Sequence, residues 1–100
     1  DWIHVEDHVD ALYTVLKKGP MVETCNIGAQ NELQNIELAQ MLCDQMDEIT
    51  PAGQSYRSLI EFVPDRLGHD KRYAIDASKI RAAFGWSSKA SLKANLQRLF

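Results

Sequence analysis

The stretch from Asp65 to Asp76, DRLGHDKRYAID, carries seven charge-capable residues around a single glycine. Arg66 offers a planar fork of donors suited to bidentate recognition of a phosphate. His69 can add one or two further hydrogen bonds. Gly68, between them, permits a tight backbone and leaves room for a ligand to come close. Lys71 and Arg72 add positive potential, while Asp65 and Asp70 can orient the cations. Together these residues suit a diphosphate. The same letters also describe a solvated turn whose surface ion pairs contribute little, and spacing alone does not separate the two readings.

Other chemistry-bearing residues are read more simply. Asn35 stands before an apolar-periodic run and can serve as a helix N-cap, although an exposed amide at a helix start can also meet a ligand where backbone N–H groups point outward. His4 and His8 lie beside Glu6 and Asp7, but no further ligands fall at a recognisable spacing, so no metal site is expected. Cys25 and Cys43 lack C-x-x-C spacing. Both read as packed thiols of a reducing compartment, and Cys25, without a paired base, is not read as a nucleophile. Tyr13 and Lys17 spell Y-x-x-x-K, the arrangement in which a lysine lowers a tyrosine's pKa. No Gly-rich dinucleotide loop accompanies them, so they are read as helix packing and capping, and no catalytic residue is assigned.

The elements that must position these residues follow from periodicity. WIHV alternates like a half-buried strand. A helix over VEDHVDALYTVLKKG is expected next, with Val5, Val9, Leu12, Val15 and Leu16 as its apolar face, acids first, lysines last and Gly19 as its stop. ETCNIG reads as a short strand. A second helix, IELAQMLCDQMDEI, carries Ile36, Ala39, Leu42, Cys43, Met46 and Ile49 as its stripe. SLIEFV and RYAI read as strands, Asp76 as the cap of ASKIRAAF with Gly85 its stop, and Ser91 as the cap of a last helix with Leu92, Leu96 and Leu99 inward. The predicted class is therefore mixed α/β or α+β, with short strands interleaved with about four helices.

The bulk properties set limits on function. One hundred residues, 45% hydrophobic and 25% charged, are expected to form one domain, residues 1–100. A net charge of −3 offers no basic footprint for nucleic acid. No apolar run nears the roughly 20 residues of a membrane span, and the acidic start DWIHVEDH is unlike a signal peptide. A start on Asp1 and an end in helical SLKANLQRLF, without a stop, read as a piece of a longer, cytoplasmic protein.

The order of the motifs carries a resemblance. DWIHVEDHVDALYTVL, CNIGAQNELQN, DRLGHDKRYAIDASKI and FGW together resemble the C-terminal portion of the dTDP-glucose 4,6-dehydratases, members of the extended short-chain dehydrogenase/reductases. The family pattern D-R-P-G-H-D-x-R-Y-A-I-D is met except at its proline, here Leu67. The second segment departs further, with CNIGA where the family has Tyr-Asn-Ile-Gly-Gly.

The resemblance implies a nucleotide-sugar-binding lobe. Asn35 would fall on the family's helix-start asparagine, and Arg66 and His69 on the donors of its diphosphate loop, with Asp65, Leu67 and Gly68 completing that substrate-binding set. It also implies that NAD and the catalytic residues belong to an N-terminal Rossmann domain absent from this chain. This portion alone would then be inert, and the full enzyme would be a homodimeric lyase acting on a dTDP-sugar for deoxysugar and rhamnose synthesis. A lobe of a UDP-sugar epimerase or decarboxylase, or a non-catalytic interaction domain of the same fold, remains open as an alternative.

Overall fold

The computed structural model of the chain describes residues 1–19, 23–89 and 91–99. Four α-helices form: α1 (Val5–Lys18), α2 (Asn35–Ile49), α3 (Ser78–Phe84) and α4 (Leu92–Gln97), with a 3-10 helix at Tyr56–Leu59. The expectation of a mixed α/β lobe is overturned, because no strand forms among the described residues. Residues 2–4 of WIHV, with ETCNIG and RYAI, lie in non-helical chain ahead of or between the helices, Val5 opens α1, and the start of SLIEFV joins the 3-10 helix instead. Alternation predicts a backbone that suits a sheet, but a strand exists only where a second segment completes its hydrogen-bond ladder. Here the helices lie between these segments and no ladder closes.

Without a sheet the chain spreads. It measures 53 × 34 × 16 Å with a radius of gyration of 16.9 Å, where about 13 Å is usual for a compact chain of this length. Its core is small: Ala11, Ala77, Ile80 and Trp86, with Ile3, Val15, Cys25, Ile27 and Phe84 packed against it. Ala11 and Ile80 are both 0% exposed. The alanine's small side chain lets α3 approach α1 closely.

That approach shifts the buried face of α1 away from the expected stripe, of which only Val15 packs on the core. Its buried residues are Asp7 and Ala11, whereas Val5, Val9, Leu12 and Leu16 are exposed, Leu16 by 81%. Polar bonds hold the inward face. The Asp7 carboxylate accepts from the backbone N–H of Lys89 at 3.3 Å and from Asn95 Nδ2 at 3.4 Å, and Trp86 Nε1 donates to Asp10 Oδ2 at 3.1 Å. A buried carboxylate is tolerated only when it is hydrogen-bonded in this way.

The helix ends largely follow the sequence. Acids open α1 and lysines close it, but Gly19 stops it at φ −78° rather than in the left-handed conformation. Gly85 ends α3 at φ +66°, as a left-handed stop should. Asp76 acts one position early: Ala77 is the N-cap, while Asp76 Oδ1 accepts from Ser78 N–H at 2.9 Å. Ser91 caps α4 through Ala94 N–H at 3.2 Å. Leu92 and Leu96 are buried, but Leu99 is 60% exposed, and Phe100 lies outside the described residues. No described helix is long and apolar enough to cross a membrane.

Candidate functional site

A cavity of about 1000 Å³ opens between the start of α2 and the loop 65–73. Asn35, Arg66 and His69 all line it, although 31 residues separate the first two in the chain. The structure thus brings together three of the six residues singled out for substrate. Asp65, Leu67 and Gly68 do not line the cavity.

Asn35 arrives there as the first residue of α2 and not as its cap, which is Gln34. The Glu37 carboxylate accepts from Gln34 N–H at 2.7 Å, the reciprocal arm of a capping box. Relieved of capping, the Asn35 amide stays exposed at the helix start.

Residues 66–69 form a tight turn in which His69 N–H donates to Arg66 C=O at 3.4 Å. Gly68 sits at its third position with φ +72°, where positive φ favours glycine. Leu67 occupies the second position and is fully exposed. Asp65 works from behind: Oδ1 lies 2.8 Å from His69 Nδ1 and 2.9 Å from Arg66 N–H. The hydrogen bond with His69, seconded by that from the Arg66 backbone, holds the Asp65 carboxyl below its ordinary value. A charged Asp65 keeps the Nδ1 proton on the ring and leaves Nε2 as the other polar atom of His69.

The far wall of the cavity is set by the chain's first residues. The Asp1 carboxylate accepts from Ala29, Gln30 and Asn31 N–H at 3.3, 3.3 and 3.1 Å. Gln30 meanwhile takes φ +58°, a left-handed conformation that costs about 1–2 kcal/mol outside glycine. Trp2 adds its backbone N–H to Asn31 C=O at 3.0 Å and its Nε1 to Leu33 C=O at 3.2 Å. None of this was legible in sequence, since the contacts join residues about thirty positions apart without a local pattern.

The cavity is not simply electropositive. Arg66, Lys71 and Arg72 line it, but so do Asp1, Glu32, Glu37 and Asp70. Several of these charges already have partners. Arg72 pairs with Glu32, Asp1 with backbone N–H groups and Glu37 with its cap. Among the described residues, no carboxylate forms an ion pair with Arg66 or Lys71, which leaves them available to an anion. Tyr73 lines the wall, and hydrogen bonding to Asp70 together with that carboxylate's charge pushes its phenol above the ordinary range, so it stays protonated.

The remaining candidates take structural places. His4 caps α1, its Nδ1 accepting from Glu6 N–H at 3.3 Å. Lys17 Nζ stands 4.7 Å from the centre of the Tyr13 ring, a surface cation–π contact on α1. Cys25 packs on the core, and although it shares a smaller cavity with His8, no described hydrogen bond joins them. The glycines stand singly: Gly53, Gly68 and Gly85 turn at positive φ, and Asp1 and Ile75 fill the space beside Gly28. No described glycine forms a cradle for a dinucleotide.

Comparison with known proteins sharpens this picture. The profile of the family described as GDP-mannose 4,6 dehydratase matches residues 1–99. The chain is 49% identical over 98 residues to dTDP-glucose 4,6-dehydratase 1 of Escherichia coli (strain K12), covering 98% of this chain and 27% of that protein. It is 45% identical to the dTDP-glucose 4,6-dehydratase of Salmonella typhimurium, again over 98% of this chain and 27% of the relative. A dTDP-glucose 4,6-dehydratase of Neisseria meningitidis serogroup B is 46% identical over 102 residues, 98% of this chain and 29% of its own. The chain thus spans under a third of the length of these relatives.

Proposed function

The chain belongs to the GDP-mannose 4,6-dehydratase family, and from that premise we propose that it is the nucleotide-sugar-binding portion of a dTDP-glucose 4,6-dehydratase. One observation supports this above the rest: Asn35, 31 residues from Arg66 in the chain, shares a single cavity with Arg66 and His69, in which Arg66 has no carboxylate partner among the described residues. Arg66 meets the diphosphate with its guanidinium fork, His69 donates beside it, and the Asn35 amide closes from the start of α2. Asp65 holds His69 rather than touching substrate, and Gly68 shapes the turn.

The chemistry belongs to the rest of the enzyme. In the full-length protein NAD would be held by residues outside this chain and would supply the hydride chemistry at the sugar. This chain's residues bind and orient the diphosphate, and neither a base nor a cofactor site is assigned to them.

Arg66→Ala in the full-length protein tests the reading. Removing a charged partner from a bound anion costs on the order of 2–4 kcal/mol of recognition, so the Kd for dTDP and the KM for dTDP-glucose should both rise steeply. An unchanged Kd would sink the assignment. Titration with GDP and UDP alongside dTDP separates this enzyme from relatives that read another base.

A further inference from the structure

The two walls of the cavity are built independently. Residues 29–34 are pinned to residues 1–2 by the Asp1 carboxylate and by Trp2, and Asn31 Nδ2 returns a bond to Trp2 C=O at 3.1 Å. The turn 65–69 is held from within, by Asp65 and by its own backbone. No strand ladder joins them among the described residues. One side-chain pair crosses the gap: Arg72 Nε and Nη2 both donate to Glu32 Oε2, at 3.0 and 2.5 Å, across 40 residues of sequence. Among the described residues the backbone nitrogen of Asp1, which donates to Tyr73 C=O at 2.9 Å, is the other hydrogen-bonded crossing.

The placement of this pair is regular. Glu32 lies three residues before Asn35, and Arg72 three residues after His69. The pair thus ties the segment that leads into the amide wall to the segment that follows the cationic wall.

From this we infer that Glu32 and Arg72 are a positioning pair that fixes the spacing of the diphosphate clamp, a role that rests on the proposed reading of the cavity. Arg72 is engaged by Glu32 and so is not a phosphate donor, although it belongs to the same basic run as Lys71. Preorganisation of this kind raises affinity by lowering the cost of ordering the site when ligand arrives. Because both side chains are exposed, the effect is modest and sensitive to salt.

The test is a mutant cycle in the full-length protein, reading the Kd for dTDP by calorimetry. Glu32→Gln and Arg72→Gln should each weaken binding roughly two- to five-fold, the span expected of an exposed pair. The double variant should be no weaker than either single, the sign that one interaction was lost. The reversed pair, E32R with R72E, should recover most of the affinity, which a nonspecific loss of structure would not allow. Additive losses, an unchanged Kd in the singles, or no recovery on reversal would each overturn the positioning role. Arg66→Ala, measured in parallel, separates the levels: no effect there overturns the diphosphate reading and this pair with it, whereas a large effect beside silent Glu32 and Arg72 variants overturns the pair alone.

Discussion

His69 Nδ1 lies 2.8 Å from Asp65 Oδ1, and this contact fixes how the imidazole is presented. The carboxylate accepts a hydrogen bond from Nδ1–H, so any ligand meets the ring through Nε2. Asp65→Asn keeps the shape but removes the charge that orders the ring and its tautomer. The Kd for dTDP in the full-length protein should rise several-fold, with thermal stability nearly unchanged because the group is exposed. Equal affinities for variant and wild type would mean that Asp65 plays no part in presenting His69.

A second carboxylate reports on acid stability. The Asp44 carboxylate pairs with Arg57 at 2.5 Å, tying α2 to the 3-10 helix. The hydrogen bond from Arg57 holds Asp44 below its ordinary value, and Asp44 holds Arg57 above its own. A carboxyl lowered on folding contributes its stability in full above the unfolded value of about 4, and loses it as pH falls through the lower, folded value. Urea midpoints of the wild-type protein should therefore drop on acidification below about 4, while Arg57→Gln lacks that part of the slope. The two should differ at neutral pH and converge in acid. A constant gap across the whole range would contradict the pairing.

What the sequence revealed and what it hid divide along physical lines. Local signals held at the start of α1, the Gly85 stop and the Ser91 cap, which are written within one helical turn. Arg66 and His69 were legible for the same reason, being three residues apart on one turn. By contrast, α2 begins at Asn35 itself, one residue before the expected start, with Gln34 as its cap. Decisions made by packing were not legible. The valine and leucine stripe of α1 predicts an inward apolar face, yet the contact between Ala11 and α3 turns Asp7 inward instead. Alternation in WIHV and RYAI predicts strands, but their ladders need partners that these residues do not provide. Glu32 gave no signal because its partner lies 40 positions on.

Asp1 carries more of the cavity wall than its position suggests. Its carboxylate accepts from three consecutive backbone N–H groups, and Gln30 holds positive φ beneath it. Asp1→Ala should release that loop, which amide hydrogen exchange at Ala29, Gln30 and Asn31 would register as faster exchange. Gly28→Ala should act alike, because an added Cβ would stand 2.7 Å from Asp1 Oδ2 and 3.1 Å from the Ile75 side chain. Unaltered exchange in both variants would show that the loop keeps its shape without the carboxylate.

Leu67 is the one departure within the DRLGHD turn, and the geometry says what it does. It holds the second position of a turn whose third, Gly68, has φ +72°, and that second position favours proline. Leu67 itself has negative φ, since Gln30 is the only described non-glycine residue with positive φ. No described hydrogen bond uses its N–H, and its side chain touches solvent rather than the core. Proline would therefore fit without breaking a contact. By narrowing the unfolded chain, Leu67→Pro should stabilise the protein by about 0.4–1 kcal/mol, read as a higher urea midpoint. The same stiffening should tighten dTDP, since a turn already in its bound shape loses less entropy on closing over the diphosphate. A destabilised variant would show that the turn needs freedom at this position, and that leucine is there to provide it.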